Sequence, residues 1–238
     1  MKREKKRIVL VGCGGISRSW LTAPVLPEEG QIVGFVDLDD GQARKRAAES
    51  GWPEAECGTD LERMLKRLEP EVVFDCTVPP AHKDVTLTAL RHGCHVLGEK
   101  PMATSLEDGR EMVRAAETAG RVYAVVQNRR YDRNARALQQ FLQSGAIGRL
   151  TEVHLQFMVG AHFGGFRAEM EHVLLGDMAI HTFDTARMLC GKNPLEVTAT
   201  EWNPPGSWYR HGASANAVFR MTDDLRITYT GSWCANGA

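Results

Sequence analysis

RIVLVGCGGIS, residues 7–17, decides the fold. Five residues, 7–11, carry one polar side chain and four β-branched or aliphatic ones, a pattern of a strand with both faces covered. Gly12, Gly14 and Gly15 then break it, and Ile16 opens a helical pattern, ISRSWLTAPVL, that Pro24 shortens. A strand, a glycine turn and a helix in that order are the first unit of a parallel sheet with crossover helices.

The rhythm continues outward from it. Strands are expected at QIVGFVD (31–37), EVVFDCTV (71–78), HVLGEK (95–100) and RVYAVVQ (121–127). Helices are expected at DGQARKRAAES (40–50), DLERMLKRL (60–68), PAHKDVTLTALRHG (80–93) and SLEDGREMVRAAETAG (105–120). Ser105 with Asp108 resembles a capping box, and Gly120 a C-cap. Beyond about residue 126 the pattern changes. A helix at 132–145 leads to an alternating strand at 150–159, a glycine-rich loop at 160–170 and one helix over 174–191. Three further strands follow, LEVTATEW, SANAVFRM and LRITYTGSW, the last two as a hairpin around TDD. The expected fold class is α/β, a doubly wound parallel sheet over residues 1–126, followed by an α+β domain on a mainly antiparallel sheet over 127–238, which reads as incomplete.

Bulk composition narrows the function classes. The chain has 238 residues, 29 Lys+Arg against 30 Asp+Glu, and a formal net charge of −1. Such a balance gives no footprint for nucleic acid. The basic start MKREKKR before an apolar run could mimic a leader, but the run is short and broken by glycine, so it reads as the first strand. No stretch approaches a membrane span. Six scattered cysteines without a Cys-x-x-Cys pair read as free thiols of a cytoplasmic protein, and no cluster has metal spacing, so no metal is expected.

The glycine turn has a specific use. Gly12 permits the tight turn, and Gly14 lets backbone approach a pyrophosphate seated at the start of the helix. Asp37 ends the second strand, where an acid accepts hydrogen bonds from an adenosine ribose. It also repels a 2′-phosphate, so NAD is expected over NADP, with Arg44 and Lys45 as nearby positive charges. In an open parallel sheet, ligands bind beyond the carboxyl ends of strands. Glu99, Lys100 and Pro101 occupy such an end, as do Thr77 and Pro79. In GDMAIHTFD (176–184), Asp177 and His181 stand four apart and share one helix face, with Asp184 near it.

These residues resemble the family of glucose-fructose oxidoreductase, inositol 2-dehydrogenase and the rhizopine-catabolism oxidoreductase. The resemblance rests on VGCGGIS, VDLD, DCTVPPAHKDVTLTALRHGCHVLGEKPMATS, QNRRYD, SGAIGRL and DMAIHTFD. It implies a Rossmann domain, a substrate domain and reversible NAD(P)-dependent oxidation of sugar or cyclitol hydroxyls. By position, Lys100 would polarise the reacting hydroxyl, Asp177 would hold substrate and His181 would be the general base. Gly12, Gly14, Gly15, Ile16, Asp37, Thr77, Pro79, His82, Glu99, Lys100 and Asn128 would lie at the cofactor, His82 alternatively capping its helix. Arg129, Arg130 and His162 would join Lys100, Asp177 and His181 at the substrate. Ala179 departs from the glycine of many relatives, and the chain stops earlier than they do. A homodimer or homotetramer through the second-domain sheet is expected. The alternative is an NAD(P)-binding sensor without turnover.

Overall fold

A computed structural model describes residues 4–235; residues 1–3 of the basic start and the last three residues lie outside them. Two compact units emerge, residues 1–126 and 127–238.

Unit 1 runs β1 (Lys6–Val11), α1 (Gly15–Leu21), α2 (Leu26–Glu29), β2 (Gly30–Val36), α3 (Asp40–Glu49), β3 (Glu56–Gly58), α4 (Leu61–Leu68), β4 (Val72–Asp75), α5 (His82–Arg91), β5 (His95–Gly98), α6 (Leu106–Ala119) and β6 (Tyr123–Val125). All its strand pairings are parallel, in the order β3-β2-β1-β4-β5-β6. Alternation along β1 explains why both faces are covered. Val9 and Val11 pack with Met64, Leu90 and Ala116 from α4, α5 and α6. Ile8 and Leu10 pack with Leu21, Leu26 and Ala43 from α1, α2 and α3. The order reverses direction between β1 and β4, so the crevice at their carboxyl ends is the place where such sheets take ligands.

Local chemistry sets the helix boundaries. Asp60 and Ser105 accept from the amides of Arg63 and Asp108 and start α4 and α6. Gly120 ends α6 in the left-handed region at φ +60°. α1 stops at Leu21, three residues short of Pro24. β3 was not expected: three half-buried residues at a sheet edge carry no readable period.

Unit 2 runs α7 (Arg133–Gln143), β7 (Glu152–Met158), α8 (Ile180–Cys190), β8 (Pro194–Trp202), β9 (Ser214–Met221) and β10 (Arg226–Ser232). The sheet order is β7-β10-β9-β8, antiparallel at two pairings and parallel between β10 and β7. Ile227, Tyr229, Phe219 and Ala217 point to the face covered by α8, where Phe183 and Ala186 meet them. The opposite face carries Thr198, Asn216, Val218, Arg220, Thr228 and Thr230. That face is largely polar, with Arg220 bonding Glu196 and His154 bonding Thr228. Val218 and Trp202 are its exposed large apolar side chains.

The single helix expected over 174–191 divides. Leu174–Ala179 is a π-helical turn, and α8 begins at Ile180. π-turns inside α-helices occur often at functional sites. Among the described residues, no helix is long and apolar enough to cross a membrane.

Candidate functional site

The glycine turn of unit 1 is fixed by contact and by bonds. Gly12 adopts φ +88°, and a Cβ there would lie 2.6 Å from the Cys76 carbonyl carbon and 2.7 Å from the Thr77 nitrogen. No other residue fits, so β1's turn lies directly against the end of β4. At Gly14 and Gly15 the reverse holds: an added Cβ meets nothing within 4 Å, so the turn faces open space. Ile16 beside it is 45% exposed. Ser17, one turn on, is fully buried and donates to the Gly14 carbonyl at 2.7 Å.

The Cys13 peptide is held at both ends. Its amide donates to Asp37 Oδ2 at 2.7 Å. Its carbonyl accepts from Arg46 Nε at 3.2 Å, Arg46 Nη2 at 3.1 Å and Gln42 Nε2 at 3.3 Å. Asp37 is thus a strut for the turn as well as a carboxylate at its mouth, and Oδ1 also accepts from the Asp39 amide. Arg44, weighed earlier as a neighbouring positive charge, is engaged with Asp40 at 2.7 Å. Burial, with Asp37 beside it, pushes the Cys13 thiol up to about 12, so it is inert.

At the next strand ends, Asp75 Oδ1 accepts from Thr77 N at 3.1 Å and Thr77 Oγ1 at 2.5 Å. Among the described residues its buried Oδ2 has no hydrogen-bond partner. Burial raises the Asp75 carboxyl above its ordinary value, against the opposing pull of His82 and Thr77. Pro79 opens a 3-10 turn, Pro79–Ala81, that leads into α5. Glu99 is 8% exposed; Oε1 accepts from Trp20 Nε1 at 2.8 Å and Oε2 from the Lys100 amide at 3.2 Å. The Lys100–Pro101 peptide is cis. His82 is buried, with Nδ1 2.7 Å from the Pro101 oxygen and Nε2 3.2 Å from the Thr77 oxygen, so both nitrogens face backbone. The capping alternative is corrected: α5 has Ala81 as its N-cap, with no side-chain bond.

In unit 2, Asp177 lies in the π-turn, buried, and accepts from Arg167 Nε at 2.7 Å. Arg167 comes from the glycine-rich loop and sits over the Phe166 ring at 4.7 Å and the Phe163 ring at 5.8 Å. His181 is 7% exposed, with Nδ1 3.1 Å from Gln127 Oε1. A carboxamide oxygen accepts, so the proton belongs on Nδ1 and the lone pair on Nε2. The sequence had pointed to neither Arg167 nor Gln127. Arg130 is committed to Asp184 by two bonds of 2.8 Å. Arg129 is exposed, 5.8 Å above the Phe157 ring, and Asn128 is exposed in the same 3-10 turn. His162 stacks on Trp208 with centroids 3.5 Å apart. Among the described residues there is no group of three or more His, Cys, Asp or Glu that could hold a metal.

Comparison with known proteins agrees with this layout. Residues 6–127 match the family model described as "Oxidoreductase family, NAD-binding Rossmann fold", and residues 135–238 match the GFO/IDH/MocA C-terminal domain. The chain is 30% identical over 195 residues to 1,5-anhydro-D-fructose reductase of Ensifer adhaerens, covering 80% of this chain and 58% of that protein. It is 29% identical over 229 residues to inositol 2-dehydrogenase 4 of Saccharopolyspora erythraea, covering 96% and 64%. The chain therefore spans about three fifths of the curated relatives it matches. In fold it resembles an oxidoreductase from Agrobacterium radiobacter in complex with NAD+, L-tartaric acid and magnesium (TM-score 0.89, 22% identity, 99% of this chain and 69% of that one). It also resembles myo-inositol dehydrogenase from Lactobacillus casei in complex with NAD(H) and myo-inositol (TM-score 0.87, 22% identity, 98% and 68%).

Proposed function

The chain belongs to the GFO/IDH/MocA oxidoreductase family, and on that premise we propose that it binds NAD on unit 1 and transfers hydride to or from a hydroxyl-bearing carbon of a sugar or cyclitol. The observation that carries this reading is Gly12 pressed on Cys76 and Thr77, with the turn beyond it opening at Gly14 and Gly15. That is a cradle a side chain would obstruct and a pyrophosphate would fill. The named relatives, an anhydrofructose reductase and an inositol dehydrogenase, support the substrate class.

NAD, when bound, supplies the hydride acceptor; the rest falls to this chain's side chains. Gly12, Gly14, Gly15 and Ile16 bound the pyrophosphate. Asp37 accepts from the ribose hydroxyls with the lone pairs its two amide bonds leave, and repels a 2′-phosphate. Lys100 polarises the reacting hydroxyl, and Asp177, held by Arg167, orients the substrate. His181 takes the hydroxyl proton on Nε2 while Gln127 keeps the Nδ1 proton in place, which is the tautomer a general base needs. Arg130, spent on Asp184, positions its own loop rather than substrate.

Turnover of a panel of polyols and ring sugars, read by nicotinamide absorbance with NAD and NADP in parallel, tests this. Activity with at least one cyclitol or aldose and a preference for NAD is expected. An NADP preference would remove the Asp37 assignment. NAD binding by calorimetry without turnover of any compound would favour a sensor.

A further inference from the structure

We propose that His82 is a positioning residue which, together with Trp20, fixes the backbone on both sides of Lys100 and so the aim of its ammonium. This rests on the proposed role of Lys100. A lysine head is carried on four rotatable bonds, and its placement begins with the placement of its backbone. On the N-terminal side, the buried Glu99 carboxylate joins the Lys100 amide, at 3.2 Å, to the Trp20 indole N–H, at 2.8 Å. On the C-terminal side, the Pro101 carbonyl is gripped by His82 Nδ1 at 2.7 Å. The other ring nitrogen lies 3.2 Å from the Thr77 carbonyl, so the same ring packs on the loop after β4. One buried ring therefore bridges the tips of β4 and β5, while α1 reaches the same tip through Trp20.

Both His82 contacts are to carbonyl oxygens, which only accept, and a neutral ring has a single N–H to donate. The shorter contact puts that proton on Nδ1, facing Pro101. At 2% exposure the ring has no surface to spend on a ligand, which separates this role from a cofactor contact. Asp75 and Glu99 are the buried acids of the same strand tips, and Lys83, the residue beside His82, is drawn away to Asp108 at 2.6 Å and Glu111 at 2.8 Å. The clamp thus acts on main chain, and its effect on Lys100 is geometric.

Two amide substitutions separate the two contacts. In His82→Asn the carboxamide nitrogen overlies Nδ1 and keeps the Pro101 bond; in His82→Gln it reaches the Nε2 position, donates to the Thr77 carbonyl instead and leaves the Pro101 carbonyl without its donor. Three readouts are needed: the NADH dissociation constant by fluorescence, kcat and KM on a compound the wild type turns over, and the rate of Lys100 acetylation by mass spectrometry with exposed Lys45 as internal reference. A misplacement near 1 Å can cost on the order of 100-fold. We expect His82→Gln to lower kcat by about 10-fold or more and to change Lys100 acetylation several-fold, with NADH affinity within about 2-fold of wild type. His82→Asn should lose distinctly less. Trp20→Phe, which removes only the indole N–H, should shift Lys100 acetylation in the same way and serves if the His82 variants fold poorly. Equal effects of Asn and Gln, or a loss of NADH affinity with Lys100 acetylation unchanged, would overturn the proposal. Acetylation needs no turnover, so a wild type inactive on every compound would defeat the proposed function while leaving His82 decided.

Discussion

In unit 1 three polar side chains near the strand tips bond chiefly to main chain. Asp37 takes the Cys13 amide, Arg46 grips the Cys13 and Gly14 carbonyls, and His82 faces the Thr77 and Pro101 carbonyls. In unit 2 they bond to one another: Arg167 to Asp177, Arg130 to Asp184, Gln127 to His181. Every residue supplies an amide and a carbonyl, so a frame built on main chain survives changes in the residues it grips. A frame of side-chain pairs fails when either member is lost, and the survivor is left buried with an unmet charge.

The largest expected effect removes chemistry from each unit, and in unit 2 it also breaks the Gln127–His181 pair. Lys100→Met and His181→Ala should each cost about 10²–10⁴-fold in turnover, the usual worth of acid–base help. NAD affinity should survive in both. Loss of NAD binding with either substitution would reassign that residue to structure.

Gly12→Ala attacks the main-chain frame at its tightest point. The methyl would meet the β4 end at 2.6 Å in a left-handed backbone, a cost on the order of 3 kcal/mol or more. The denaturant midpoint of unit 1 should fall and NAD binding should be lost, whereas Gly14→Ala, facing open space, should retain the fold. A Gly12→Ala protein of wild-type stability would contradict the contact.

Arg167→Met and Arg130→Met test the side-chain frame. Arg167 leaves a nearly fully buried carboxylate short of a donor, at about 1–3 kcal/mol. Arg130 leaves Asp184, which is 17% exposed in its side chain, and should cost less. Urea midpoints of the two variants check the order; a larger loss for Arg130→Met would reverse the assignment of which pair matters.

The smallest effect is a slope. Burial holds the Asp75 carboxyl above its ordinary 3.8. Its stabilising contribution is therefore complete below that value and is lost as pH climbs through the raised one. Relative to wild type, Asp75→Asn should gain stability as pH rises from about 4 toward neutrality, read as the difference in urea midpoint at each pH. A difference that does not change with pH would show that Asp75 keeps its ordinary titration.

This contrast also explains what the sequence could reveal. Unit 1 was legible because its devices are local: an apolar run, a glycine at the turn, an acid at the next strand end, a lysine at another. Ser105 and Asp60 announced helices within three residues of themselves. The pairs of unit 2 lie 10 or 54 residues apart, and no spacing rule links an arginine in a glycine-rich loop to an aspartate in a π-turn. The π-turn itself was hidden because its residues are as apolar as those of the helix it precedes. His82 was misread for a related reason. A histidine at a helix start looks the same in sequence whether its ring caps the helix or turns inward to carbonyls.

The bond between Asp37 and the Cys13 amide carries a consequence for how such a chain can change over generations. The carboxylate proposed to repel a 2′-phosphate is also a strut of the glycine turn. A descendant that exchanges Asp37 for a small neutral residue to admit NADP loosens the cradle at the same stroke. The two traits cannot drift apart by single steps. A lineage crossing from one cofactor to the other needs another acceptor for the Cys13 amide, because Arg46 and Gln42 only donate, to the Cys13 carbonyl.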